Sequence, residues 1–162
     1  MTQESCGDLP PCHIFIDKEA RWYHRGVEMI HREFIRLFYQ NMELDSQDRH
    51  VINWKGERCY VEVEDTAFVV RRAVYQEGTR AQNACITLYL SDDTREELQP
   101  DTLSVGKDNV LYCRVKKRTF PARFDRAAYY QLAEYIEEEN ESYYLSLNEN
   151  RYRIQLSNPD AV

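Results

Sequence analysis

Three carboxylates, Glu62, Glu64 and Asp65, fall close together at the end of the alternating run Arg58 to Val63. Residues two apart in a strand share a face, so Glu62 and Glu64 project together and Asp65 follows at the strand's end. Carboxylates placed this way can share a hard cation or drive one another's pKa values apart. Joined by a histidine such as His24, they would make a metal-assisted hydrolase. The simpler account is a half-buried strand whose wet face carries Glu62 and Glu64, while Asp65 organises the turn before Thr66. His13, His24 and His31 gather around one expected hairpin, but none has HExxH spacing, and exposed strand or helix-start positions account for them. Cys6, Cys12 and His13 offer soft metal ligands with no second pair to complete a tetrahedral set. The five cysteines are odd in number and scattered. Cys59, Cys85 and Cys113 fall inside expected strands, so they read as packing residues and no disulfide framework is expected. The chain has no GxSxG, GxGxxG or GxxxxGK[ST] run. It therefore offers neither a nucleophile elbow nor a loop to cradle pyrophosphate. No cofactor is expected and no residue is assigned a catalytic role.

Two other groupings bear on binding. The chain has twelve tyrosines and two tryptophans, and aromatic side chains serve either sheet cores or binding surfaces. Trp22, Tyr23, Trp54 and Tyr60 sit on adjacent expected hairpins and could line a groove between sheet and helix, the usual shape of an apolar ligand site. Charge is also uneven. Arg114, Lys116, Lys117, Arg118, Arg123 and Arg126 make a basic strip, whereas the stretch Glu134 to Glu141, with Glu137, Glu138 and Glu139 at its centre, holds five acids and no base. Three acids at a helix C-terminus would oppose the helix dipole, so a basic partner, including the basic strip of a second copy in a homodimer, would explain them. A solvated helix end beside a basic strand edge is the plainer account.

These residues need elements to hold them. His13 to Ile16 and Arg21 to His24 form a hairpin around Asp17 to Ala20. From Glu28 to Asn41, Ile30, Phe34, Leu37 and Phe38, continued by Met42, recur at helical spacing and predict one buried helix face. Val51 to Trp54, the turn Lys55-Gly56 and Arg58 to Val63 make a second hairpin. Thr66 to Tyr75 is a further strand, with a module boundary near Gln76. Ala84 to Leu90, Thr102 to Val105 and Val110 to Lys116 read as strands, with Ser91 to Asp101 as a polar loop. Asp125 caps a helix running from Arg126 to about Glu139. Tyr143 to Leu147 and Tyr152 to Leu156 close the chain as a hairpin. The expectation is an α+β protein with mixed or mainly antiparallel sheets and two principal helices. Its divisions are a leader at 1–11, modules at 12–76 and 77–157, and a tail at 158–162.

Within this frame Ile16-Asp17 through Trp22, followed by Gly26, Ile30, Arg32 and Leu37-Phe38, resembles the opening of the bacterial family called domain of unknown function 1285. The run Val61 to Val69 is similar to that family's central valine-glutamate-aspartate motif. Phe124 to Arg126, Tyr130 and Leu132 are similar to its arginine-led C-terminal helix. The resemblance covers about residues 13 to 156. Two departures stand out: Glu19-Ala20 where a turn glycine is usual, and Thr66-Ala67 where the family has alanine-proline. The resemblance implies a two-part α+β bacterial protein and carries no activity with it.

Composition narrows the function classes. Of 162 residues, 43% are hydrophobic and 30% charged, with a net charge of -7, which suits a globular fold and disfavours attraction to phosphate backbones. No run approaches the roughly 20 apolar residues of a membrane span. The start lacks the basic patch and apolar stretch of a secretory signal, so a cytoplasmic location is the default. The sequence favours a ligand-binding or protein-interaction module without catalysis, and the alternative is the hydrolase built on Glu62, Glu64 and Asp65.

Overall fold

The computed structural model describes residues 9–157. Most of the leader, with Cys6, and the tail at 158–162 lie outside the described residues. The chain divides into two compact units, with Ala67 and Phe68 at the division, earlier in the chain than the boundary expected near Gln76.

The first unit is built from β1 (Pro11–Ile16), β2 (Trp22–His24), β3 (Val27–Glu28), α1 (Arg32–Gln40), β4 (Met42–Leu44), β5 (His50–Trp54) and β6 (Glu57–Val63). Its strands form one sheet in the order β3-β2-β1-β6-β5-β4. The central pair β1 and β6 runs parallel, and its neighbours pair antiparallel. Two loops in this sheet use one device. In the turn between β1 and β2, Asp17 Oδ1 accepts hydrogen bonds from the backbone N–H groups of Glu19 and Arg21, and Asp17 Oδ2 accepts one from Arg21 Nε at 2.8 Å. Between β4 and β5, Asp45 accepts from the N–H groups of Gln47 and Arg49 and from Arg49 Nε at 2.7 Å. An aspartate and an arginine four residues later thus clamp each turn. Ala20, at φ +61°, takes the left-handed conformation that a turn glycine would adopt more easily.

The helix differs from its expected extent. Arg25 and Gly26 both have positive φ, the backbone of a tight two-residue turn, and this folds Val27–Glu28 back onto β2 as a strand. Helix α1 therefore begins only at Arg32. Its buried residues are Ile35 and Tyr39. Ile30 and Phe34, expected in the core, are 75% and 56% exposed. Strand β4 was not anticipated, because Met42 continued the helical spacing.

The second unit contains β7 (Phe68–Gln76), β8 (Cys85–Leu90), β9 (Arg95–Glu97), β10 (Ser104–Val105), β11 (Leu111–Val115), β12 (Phe120–Phe124), α2 (Arg126–Ala133), β13 (Ile136–Glu139), β14 (Ser142–Leu147), β15 (Asn150–Arg153) and β16 (Gln155–Leu156). Seven strands form a mixed sheet in the order β16-β10-β11-β12-β7-β8-β9, and β13-β14-β15 form a separate antiparallel sheet. Phe68, Leu88, Leu103, Leu111 and Leu132 are almost fully buried in this unit. Asp125 caps α2 by accepting a hydrogen bond from the Ala128 N–H at 2.9 Å. The helix ends at Ala133 rather than Glu139. Asn140 and Glu141 take positive φ and turn β13 onto β14, so Glu137, Glu138 and Glu139 are strand residues. The expected polar loop Ser91 to Asp101 contains β9, and β12 is a further strand beyond the expected set. Among the described residues the fold is α+β with mixed sheets and two α-helices. Among the described residues no helix is long and apolar enough to cross a membrane.

Candidate functional site

Alternation along the first sheet separates the expected aromatic site into two faces. Trp22 pairs with Ile16, and both are almost fully buried. The Trp22 ring meets Tyr39 edge-on at 4.8 Å and lies near-parallel to Phe38 at 6.2 Å, so it belongs to the core under α1. Its indole Nε1 has no hydrogen-bond partner among the described residues. Tyr39 fixes the helix end, its hydroxyl donating to the Ala67 carbonyl at 2.7 Å. Tyr23 and Tyr60 point from the opposite face, where with Phe15, Asp17 and Glu62 they line a cleft of about 440 Å³.

Trp54 remains on the helix side. There the sheet and α1 enclose a groove of about 910 Å³. Ile14, Ile52 and the Cys12–Cys59 pair contribute from the sheet, and Ile30, Phe34 and Phe38 from the helix and its approach. The interior is apolar, and the charged and titratable groups His24, His31, Glu28, Glu57 and Arg58 complete its lining. Arg58 is held through Nε by Glu43 at 2.9 Å. The exposure of Ile30, Phe34 and Trp54 follows from this opening, and a lysine, Lys55, lies over the Trp54 ring at 5.4 Å.

Cys12 and Cys59 form a disulfide with Cα atoms 5.0 Å apart, which corrects the reading of both as thiols. The reason is topological. The link joins two strands that lie side by side in space but 47 residues apart in sequence, and the sequence alone does not announce the parallel pairing of β1 with β6. Cys12 is thereby withdrawn from the ligand set suggested with His13. Cys113 is 2% exposed, and burial, with Glu96 nearby, pushes its thiol far above the usual range, so it is no nucleophile.

Glu64 and Glu62 meet different surroundings. Glu64 Oε2 accepts a hydrogen bond from the Lys18 N–H at 2.7 Å, and Glu62 lines the cleft with Tyr23. Burial alone would raise the Asp17 pKa there, but the Arg21 N–H and guanidinium and the Glu19 N–H hold it below the ordinary carboxylate range. His13 lines this cleft and His24 the groove on the other face. Among the described residues no three His, Cys, Asp or Glu side chains stand close enough to hold a metal ion.

Several residues of the charged patches find partners within the second unit. Glu139 pairs with Arg151, and Glu137 lies across β14 from Arg153 with Tyr144 between them. Lys116 Nζ binds Asp92 at 2.7 Å, Arg118 binds Asp101 at 2.7 Å, and Arg114 donates to the Thr119 carbonyl. Of the acids that seemed to ask for a second copy of the chain, Glu139 is thus paired with an arginine of its own sheet.

No protein-family model and no curated protein matches the chain. Two solved structures do. A DUF1285 family protein from Silicibacter pomeroyi DSS-3 is similar with a TM-score of 0.75 and 16% identity, covering 91% of this chain and 81% of that one. A DUF1285 family protein from Shewanella baltica OS155 is similar with a TM-score of 0.62 and 18% identity, covering 76% of this chain and 91% of that one. At such identities the likeness is one of fold, and the chain has the fold of two proteins from the family whose motifs its sequence resembles.

Proposed function

We propose that the chain is a DUF1285 family member acting as a binding module without catalysis, and that the groove beside α1 takes a small amphipathic molecule with an apolar body and one polar end. The observation that carries this reading is the opening of about 910 Å³ with an apolar interior and charged groups around it. A ligand seated there would remove Ile30, Phe34 and Trp54 from water, a gain of about 25 cal/mol per Å² of apolar area covered. Its polar end would stay beside His24, His31 and Arg58. Trp54 lines the groove and Trp22 is buried in the core, so Trp54 fluorescence reports occupancy. Titrating the full chain with a medium-length fatty acid should quench or blue-shift Trp54 saturably and perturb the amides of Phe34, Ile52 and Cys59. Unchanged spectra at those residues would refute the reading. The Cys12–Cys59 disulfide counts against the cytoplasmic default, because reducing surroundings keep thiols apart. Rapid thiol trapping in cell extract tests that location.

A further inference from the structure

Strand β7 presents two consecutive arginines to solvent where simple alternation would present one. The register against β8 breaks between Val70 and Arg72, and through this bulge both Arg71 and Arg72 are exposed while Ala73 returns to the core. Arg72 then stands opposite Tyr89 of β8, and Tyr89 opposite Arg95 of β9. Adjacent strands lie about 4.8 Å apart, so two guanidinium groups flank one phenol in a single row. The Arg72 guanidinium lies over the Tyr89 ring at 4.7 Å. Beside this row a concavity of about 480 Å³ is lined by Arg71, Tyr89, Leu90, Asp93, Thr94 and Arg95, and Arg72 borders it through its contact with the Tyr89 ring.

The charges in this row are unspent. Arg21, Arg49, Arg58, Lys116 and Arg118 each hold a carboxylate, but among the described residues Arg72 and Arg95 have none. The Tyr89 hydroxyl likewise has no protein hydrogen bond there. Arg71 and Asp93, in the lining of the same concavity, are already engaged within the chain.

We propose that this face of the second unit binds a small phosphate monoester, its phosphate held between Arg72 and Arg95 and receiving a hydrogen bond from the Tyr89 hydroxyl. A single arginine fork satisfies a carboxylate, whereas a phosphate dianion has three terminal oxygens and accepts from two forks and a hydroxyl together. The size of the concavity limits the organic part to a small molecule, and because Arg72 already covers the ring, the site reads the phosphate rather than an aromatic body. Arginine does not titrate, so the ligand sets the pH dependence through its second ionisation near pH 6.

The test is titration of the isotopically labelled full chain with phenyl phosphate, and separately with inorganic phosphate, followed by amide shifts. Saturable shifts centred on Arg72, Tyr89 and Arg95 are expected, tighter for the ester. Arg72→Gln and Arg95→Gln should each weaken binding about tenfold, with the dispersion of the remaining amides confirming the fold, and binding should weaken from about pH 7.5 to about pH 5. Shifts centred elsewhere, equal affinity for inorganic phosphate, or parental affinity in both variants would overturn the proposal.

Discussion

Asp17 and Asp45 show how single side chains tie this fold to pH. For each, burial alone would raise the pKa, but hydrogen bonds from the arginine N–H, its guanidinium and one further backbone N–H bring it below the ordinary value. A carboxyl whose pKa is depressed on folding stabilises the native state at pH above its unfolded value of about 3.9, and that contribution is lost as pH falls through the folded value. Unfolding free energy should therefore drop on acidification from about pH 4 downward. Asp17→Asn and Asp45→Asn should each lower stability at neutral pH and flatten this acid slope, as read by urea unfolding at several pH values. Slopes identical to the parent's would show that the clamps do not carry the effect. Backbone conformation makes a second residue-scale case. Lys116, Lys117 and Arg118 have φ of +55°, +56° and +64°, a left-handed run without glycine. Lys116 and Arg118 are held there by Asp92 and Asp101, whereas Lys117 is exposed. Lys117→Gly should stabilise the protein by about 1 kcal/mol through relief at that position, seen as a higher urea midpoint.

At the scale of elements, the two helices are secured differently. Helix α2 is capped by Asp125, and Asp125→Ala should cost about 1 kcal/mol. Helix α1 has no side-chain cap at His31 and depends on Trp22, Tyr39 and the sheet. That sheet is pinned by the disulfide, which closes a loop of 47 residues. Cys59→Ser should cost about 2–4 kcal/mol in denaturant unfolding, and a loss near zero would mean that β1 and β6 hold without the link. The same elements divide what the sequence could and could not reveal. The hairpin of β5 and β6 was legible because Lys55-Gly56 follows the turn rule and alternation runs through Val63. The α2 start was legible because its cap is local. The turns at Asn140-Glu141 and at Asn148-Glu149 share the positive-φ backbone of Lys55-Gly56 without glycine, and only the second lay between strands already expected. Glu137 to Glu139 were therefore drawn into a helix. Strand β9 is short and charged and exists through its pairing with β8. For the candidate site, a groove between sheet and helix and the place of Trp54 in it were readable from pattern. Strict alternation already sets Trp22 and Tyr23 on opposite faces, a consequence visible in the sequence. The exposure of Ile30 and Phe34, and the meeting of Cys12 with Cys59, depend on contacts between distant segments that spacing does not encode.

For the whole molecule, net charge and local charge act at different ranges. A charge of -7 repels an extended polyanion over distances up to a Debye length, about 8–10 Å at ordinary ionic strength. The basic strip at Arg114 to Arg118 does not offset this, because Lys116 and Arg118 are neutralised by Asp92 and Asp101. A small dianion that reaches the Arg72, Tyr89 and Arg95 row meets two specific guanidinium groups and a hydroxyl at contact, and the net charge of the molecule weighs less on it than on a polyanion. The two ligand types should therefore separate. A fluorescently labelled single- or double-stranded oligonucleotide should give no saturable anisotropy change with the full chain even at about 20 mM salt, where nucleic-acid binders are at their tightest, whereas phenyl phosphate should bind saturably in the same buffer. If the oligonucleotide instead bound with affinity falling steeply with salt, phosphate contacts along a backbone would be in use, and the basic residues of the second unit would have to act as a continuous surface.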